Sequence, residues 1–119
     1  MRTRGRSTTK RRATPELLGL VAGRFRALAD PGRLAILHAL EDGELTVTEL
    51  VETTGMGQGN LSKHLQQLFA AAFVTRRRDG LFIHYALADD DVLALCELMC
   101  ARLEEDTANA HAVLATARR

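Results

Sequence analysis

Apolar residues recur along this chain at three- and four-residue spacing in four successive stretches, and each stretch predicts a helix. Leu17, Leu18, Val21, Phe25 and Leu28 mark the first, which runs to about Ala29. Its start reads Thr14-Pro15-Glu16: an N-cap hydroxyl, a proline at the first helical position and an acid in the first turn. Asp30-Pro31 repeats the signal, and Leu34, Ile36, Leu37 and Leu40 carry a second helix to the breaker Glu41-Asp42-Gly43. Thr46 to about Thr53 is a third, with Val47, Leu50 and Val51 inward. Gly55-Met56-Gly57 interrupts it. A fourth follows from about Gln58 to Ala71, anchored by Leu61, Leu65 and Leu68.

The period then changes. Val74 to Arg78 and Leu81 to Leu87 flank Asp79-Gly80, a two-residue hairpin signal in which both loop residues are expected at positive φ. A last helix opens on Asp89, Asp90 and Asp91, acids that suit the positive end of the helix dipole. It is densely apolar from Val92 to Leu103, and polarity returns from Glu104. The expected fold is therefore mainly α with a small β-hairpin wing: a winged helix-turn-helix. A last helix so apolar, after the winged unit is complete, wants a partner surface. A homodimer through the first and last helices supplies one.

Composition agrees. A chain of 119 residues suggests one domain, and 46% hydrophobic but only 4% aromatic residues favour helices packed on helices. Residues 1–13 form a basic arm, with Arg2, Arg4, Arg6, Lys10, Arg11 and Arg12 and no acid, and 14–119 form the domain, which is mildly acidic. Such an arm suits a phosphate backbone or minor groove, or is a solvated tail. No apolar run approaches the roughly 20 residues of a membrane span, nor does the N-terminus read as a secretory signal. With two cysteines and no disulfide framework, a cytoplasmic protein is expected.

A helix fits the major groove of DNA, and the start of the second helix of such a motif reads base edges. Gln58, Asn60, Ser62, Lys63, His64 and Gln67 give the fourth helix a polar face opposite its leucines. Gln and Asn pair bidentately with adenine, Lys63 reaches guanine or phosphate, and His64 is expected to touch DNA. Gly57 and Gly59 permit close backbone approach to phosphates. Arg76, Arg77 and Arg78 lie beside the hairpin tip, where strand alternation turns some of them toward phosphates or a minor groove. Double-stranded DNA is the expected partner; the rival reading is a winged-helix protein-interaction module without DNA binding. No Ser-His-Asp grouping, phosphate loop or metal-hydrolase pattern appears, so no enzymatic activity is expected.

Four segments together resemble the ArsR/SmtB winged-helix repressors: Ala29-Asp-Pro-Gly-Arg-Leu-Ala-Ile-Leu37, Glu49-Leu50, Gly55-Met-Gly-Gln-Gly-Asn-Leu-Ser-Lys-His-Leu65, and Val74-Thr-Arg-Arg-Arg-Asp-Gly-Leu-Phe-Ile-His-Tyr85. The resemblance covers about residues 16–100. It implies a homodimeric repressor that binds an inverted-repeat operator and leaves it when an inducer binds. Gln58, Asn60, Ser62, Lys63 and His64 fall on the family's recognition-helix positions, while Gly57 and Gly59 replace serines often found there. The inducer is not legible. Many relatives bind thiophilic metal through Cys-Val-Cys on the third helix, where this chain has Thr46 and Thr48. Others carry a zinc site on the last helix; Asp89 and Asp91 are present, but the early histidine is absent and His111 is followed by Leu114 rather than an acid. No resident metal or cofactor is expected. Cys96 and Cys100 remain, four apart on one face, in the stripe Leu93, Cys96, Cys100, Leu103 expected to meet the partner protomer. Three readings of the thiols stay open: packing, a redox or reactive-sulfur switch, and a thiophilic metal site. His38 is expected partly buried on the second helix, and His84 on the wing.

Overall fold

The computed structural model describes residues 11–106 and 108–117, with the backbone alone for 108–111. The element order is α1 (Pro15–Leu28), α2 (Pro31–Ala39), β1 (Leu45–Thr46), α3 (Val47–Thr54), α4 (Gln58–Ala70), β2 (Val74–Asp79), β3 (Phe82–Leu87), α5 (Asp91–Asp106) and α6 (Ala108–Ala117). This is a winged helix-turn-helix, mainly α with a small antiparallel sheet. Residues 1–10 of the basic arm lie outside the described residues.

Local chemistry sets the boundaries. Thr14 Oγ1 accepts the Leu17 N–H at 3.2 Å, and Asp30 Oδ2 accepts the Arg33 N–H at 3.1 Å, so α1 and α2 each start on a capped proline turn. Thr46 and Glu49 form a reciprocal capping box at the start of α3. The last helix starts two residues later than expected, at Asp91, whose N–H is taken by Asp89 Oδ1 at 2.9 Å. It also comprises two segments, α5 and α6.

The sheet order is β1-β3-β2. Asp79 pairs with Phe82, so the loop is Gly80-Leu81 rather than Asp79-Gly80. Of these residues only Gly80 has positive φ, +64°. That places the positive angle on the first loop residue, the type II′ pattern, and leaves Asp79 extended. The register is set from the far end, where the Ala88 N–H donates to Phe73 O at 3.0 Å and prolongs the ladder. β1 was not anticipated. It pairs Leu45 with Tyr85 and Thr46 with His84, and two residues are too short to show a period.

Leu28, Ile36, Leu37, Leu40, Leu50, Leu61, Leu65, Leu68, Val74, Tyr85 and Val92 form the core. The first helix gives little to it: Leu18, Leu20, Val21 and Phe25 are exposed. Ala72, between α4 and β2, has φ +67°. This conformation costs an L-residue with a Cβ roughly 1–2 kcal/mol, part of which glycine's larger unfolded-state entropy would offset. Ala72→Gly is therefore expected to stabilise the fold by about 0.5–1 kcal/mol, read as a higher urea midpoint at unchanged slope.

Candidate nucleic-acid interface

The turn between α3 and α4 is built for a short, fixed crossing. Gly55, at φ +76°, ends α3 with its N–H on Val51 O at 2.8 Å. Thr54 Oγ1 donates to Leu50 O at 2.7 Å and accepts the Met56 N–H at 3.3 Å. Gly57 then opens α4 with no side-chain cap. Leu61, Leu65 and Leu68 are 0%, 1% and 0% exposed, which fixes the rotation of α4 about its axis. Gln58, Asn60, Lys63 and Gln67 stand exposed as a result, and Ser62 is half-buried. A Cβ at Gly57 or Gly59 would meet no atom within 4 Å, so the start of the helix is open to close approach.

His64 departs from the expectation that it faces outward. Its side chain is only 15% exposed, with Nε2 3.6 Å from Asp30 Oδ2. Its Nδ1 lies 3.3 Å from Arg33 Nη1. Arginine has only donors, so Nδ1 accepts, and the proton of the neutral ring sits on Nε2, toward Asp30. Arg33 also donates through Nε to Ala27 O at 2.6 Å and through Nη2 to Arg26 O at 3.2 Å. One guanidinium thus satisfies the last carbonyls of α1 and holds the reading helix. The Asp30 carboxyl is held below its ordinary value, first by the Arg33 N–H and then, against some desolvation, by electrostatic attraction to the neighbouring His64 and Arg33 side chains. A Cβ at Gly32 would lie 3.0 Å from Asp30 Oδ2, 3.1 Å from His64 Nε2 and 3.2 Å from Met56 Cε, so any larger residue would make these side chains give by a few tenths of an ångström. Asp30-Pro-Gly-Arg33 is therefore more than a helix start. It docks α1, α2 and α4 on one another, a role that local sequence signals do not carry.

The wing arginines are not equivalent. Arg76 lies over the Phe69 ring, 4.1 Å from its centroid. Arg77 donates through Nε to Glu44 Oε2 at 3.2 Å and through Nη2 to Glu44 Oε1. This pair pulls the Glu44 carboxyl below its ordinary value and raises Arg77. Asp79 is 3.8 Å from Arg77, and His84 Nδ1 is 3.9 Å from Glu44. Arg78 is exposed and has no such partner among the described residues. His38, expected partly buried, is exposed 3.5 Å from Glu41.

On α5 the thiols are free and half-buried. Burial, then the neighbouring Cys100, pushes the Cys96 thiol pKa up. The stripe that carries them turns inward only at its start: Leu93, beside the buried Val92, packs on the protomer's own core, whereas Leu103 is 44% exposed. Leu93 is thus partly taken up by the protomer's own core. Leu95, Leu98 and Met99 form a further outward apolar face, at 37%, 70% and 61% exposure.

The model for "Bacterial regulatory protein, arsR family" matches residues 30–76, the segment from Asp30 through the reading helix to Arg76. The arsenical resistance operon repressor of Bacillus subtilis is 38% identical over 71% of this chain and 84% of its own. The chain belongs to the ArsR family. Other ArsR-type matches agree in fold. A homodimeric winged helix-turn-helix DNA-binding domain from Mycobacterium bovis is 37% identical and superposes with a TM-score of 0.67, over 76% of this chain and 83% of that one. A probable mercury resistance operon repressor of Streptomyces lividans is 44% identical over 62% of this chain. The match spans 59% of that relative's length. Family membership makes the chain a regulator type rather than an enzyme. Among the described residues, no helix is long and apolar enough to cross a membrane.

Proposed function

We propose that this ArsR-family protein is a sequence-specific DNA-binding repressor that binds an inverted-repeat operator as a homodimer and is released by an inducer. The observation that carries the reading is the face of α4: Gln58, Asn60, Lys63 and Gln67 exposed together on a helix locked by three buried leucines. The uncapped, open start of α4 adds N–H groups suited to a phosphate. The apolar faces left exposed on α1 and α5 support the homodimer. The basic arm, residues 1–13, adds backbone contacts ahead of the domain, and the site of action is the cytoplasm. A footprint on DNA upstream of the chain's own coding sequence tests this. It should show two symmetric half-sites about one helical turn apart. A winged helix used only for protein contacts would protect nothing in a sequence-dependent way.

Arg76, Arg77 and Arg78 are backbone contacts in this reading, but of unequal weight. Arg78→Ala should weaken specific and non-specific binding alike and lower the salt slope by about one. Arg77→Ala should change the slope much less, because Glu44 already neutralises that guanidinium. Equal slopes for the two variants would show that Glu44 yields Arg77 to the duplex.

Cys96 and Cys100 form the thiol pair through which a soft metal or reactive sulfur would act on the repressor. A thiol must lose its proton to ligate, and the raised Cys96 pKa keeps it protonated at neutral pH. Affinity for a thiophilic ion should therefore rise with pH through the alkaline range, and disappear in the double Cys→Ser variant. Titrations with cadmium at several pH values check both; a pH-independent affinity would remove the pair from the site.

A further inference from the structure

The C-terminal half of α1 and the end of α4 leave between them a groove of about 850 Å³. That is the size of a small-molecule site. Its wall carries Arg24, Arg26 and Arg33, together with Gln67 and Leu20, and the rest of the lining is alanine and glycine. No carboxylate lines it. Arg24 lies 6.0 Å from the Phe73 ring centroid, and among the described residues neither Arg24 nor Arg26 pairs with an acid. Arg24 and Arg26, unpaired with any acid among the described residues, and Arg33, whose neighbouring acid Asp30 stands outside the lining, give the groove a positive wall that favours an anion, and the arginine fork takes a carboxylate or phosphate bidentately. Leu20 and the alanines offer room for a short aliphatic or aromatic body.

We propose that this groove is an effector site for a small organic acid, and that Arg33 carries its occupancy to the reading helix. Arg33 belongs to both places. Three of its five N–H donors go to Ala27 O, Arg26 O and His64 Nδ1. An anion in the groove competes for the guanidinium and draws it away from His64. His64 is the α4 side chain tied to Asp30, so its release loosens the seating of α4 against α2. An acid that binds the loosened form better shifts the population away from the operator-binding one, and by linkage the operator weakens the acid equally. The site is separate from the thiols of α5 and rests on the DNA-binding reading only for its consequence.

The test uses the full chain without DNA, titrated with inorganic phosphate, citrate, benzoate and octanoate and followed by NMR. At least one organic acid should shift Gly23, Ala70 and the Arg33 side-chain N–H saturably, and the Arg24→Gln/Arg26→Gln variant should abolish the shifts. The same acid should weaken operator binding tenfold or more. Ala70→Glu, which puts a carboxylate into the groove without any ligand, should also weaken the operator tenfold, while Ala70→Gln should stay near wild type. Silence from all four compounds, or shifts that persist in the double variant, would overturn the proposal. So would equal losses in the two Ala70 variants. A fall of about two in the salt slope for Arg24→Gln/Arg26→Gln would assign the groove to the DNA backbone instead. If the wild type bound no operator at all, the DNA reading would fail, while the groove shifts, read without DNA, would stand or fall separately.

Discussion

Leu98→Glu is expected to yield a folded monomer that no longer protects an operator. Leu98 is 70% exposed on the outward face of α5, next to Leu95 and Met99, and α1 exposes Leu18, Val21 and Phe25. Clusters of large apolar side chains left exposed on two helices mark interaction surfaces. A two-fold interface presents the same residue from both protomers, so one substitution introduces two charges. Each is desolvated without a partner at a cost of several kcal/mol, enough to weaken the dimer by roughly a thousandfold. Losing the second reading head forfeits an avidity of about 10²–10⁴ at a two-half-site operator. The fold should survive, because Leu98 adds nothing to the core. Leu93→Glu should behave differently: it drives a charge against the protomer's own core, and the chain should unfold. Sedimentation and circular dichroism separate the two outcomes. A dimeric Leu98→Glu with a normal footprint would move the interface elsewhere.

That contrast shows where the sequence is legible. Signals that act within a few residues were readable: Thr14 and Asp30 ahead of prolines, Gly55 closing α3, and the leucines of α4 at helical spacing. Side chains whose role depends on distant partners were not. Glu44 neutralises Arg77 from 33 positions away, and His64 turns inward because Arg33 and Asp30 await it 31 and 34 positions earlier. A helix as apolar as α5 has no unique inward face on a helical wheel, so Leu93 and Leu98 were indistinguishable until the core chose between them. The hairpin loop fell one residue late for a similar reason. Asp-Gly marks a turn, but the ladder beginning at Phe73 and Ala88 decides which residues cap it.

The second large effect is expected on α4. Asn60→Ala and Gln58→Ala should each cost about 1–3 kcal/mol of operator affinity, since each removes a bidentate partner for a base edge. Both side chains are exposed and make no hydrogen bond within the described protein that would hold them back. Their loss should leave thermal stability unchanged. It should relax base preference at one operator position apiece and spare the salt slope, because no phosphate contact is lost. His64→Ala should give the opposite signature. The ring is 15% exposed and bridges Arg33 and Asp30, so its removal should lower stability and weaken all DNA sequences together. Arg33 would lose an acceptor and Asp30 a nearby donor, with a destabilisation of about 1–3 kcal/mol. Binding profiles over a randomised half-site, with melting curves for the three variants, distinguish a residue that reads bases from one that seats the helix. If His64→Ala alone changed the base preference, then His64 would read DNA after all, and α4 would have to roll about its axis on binding to present it.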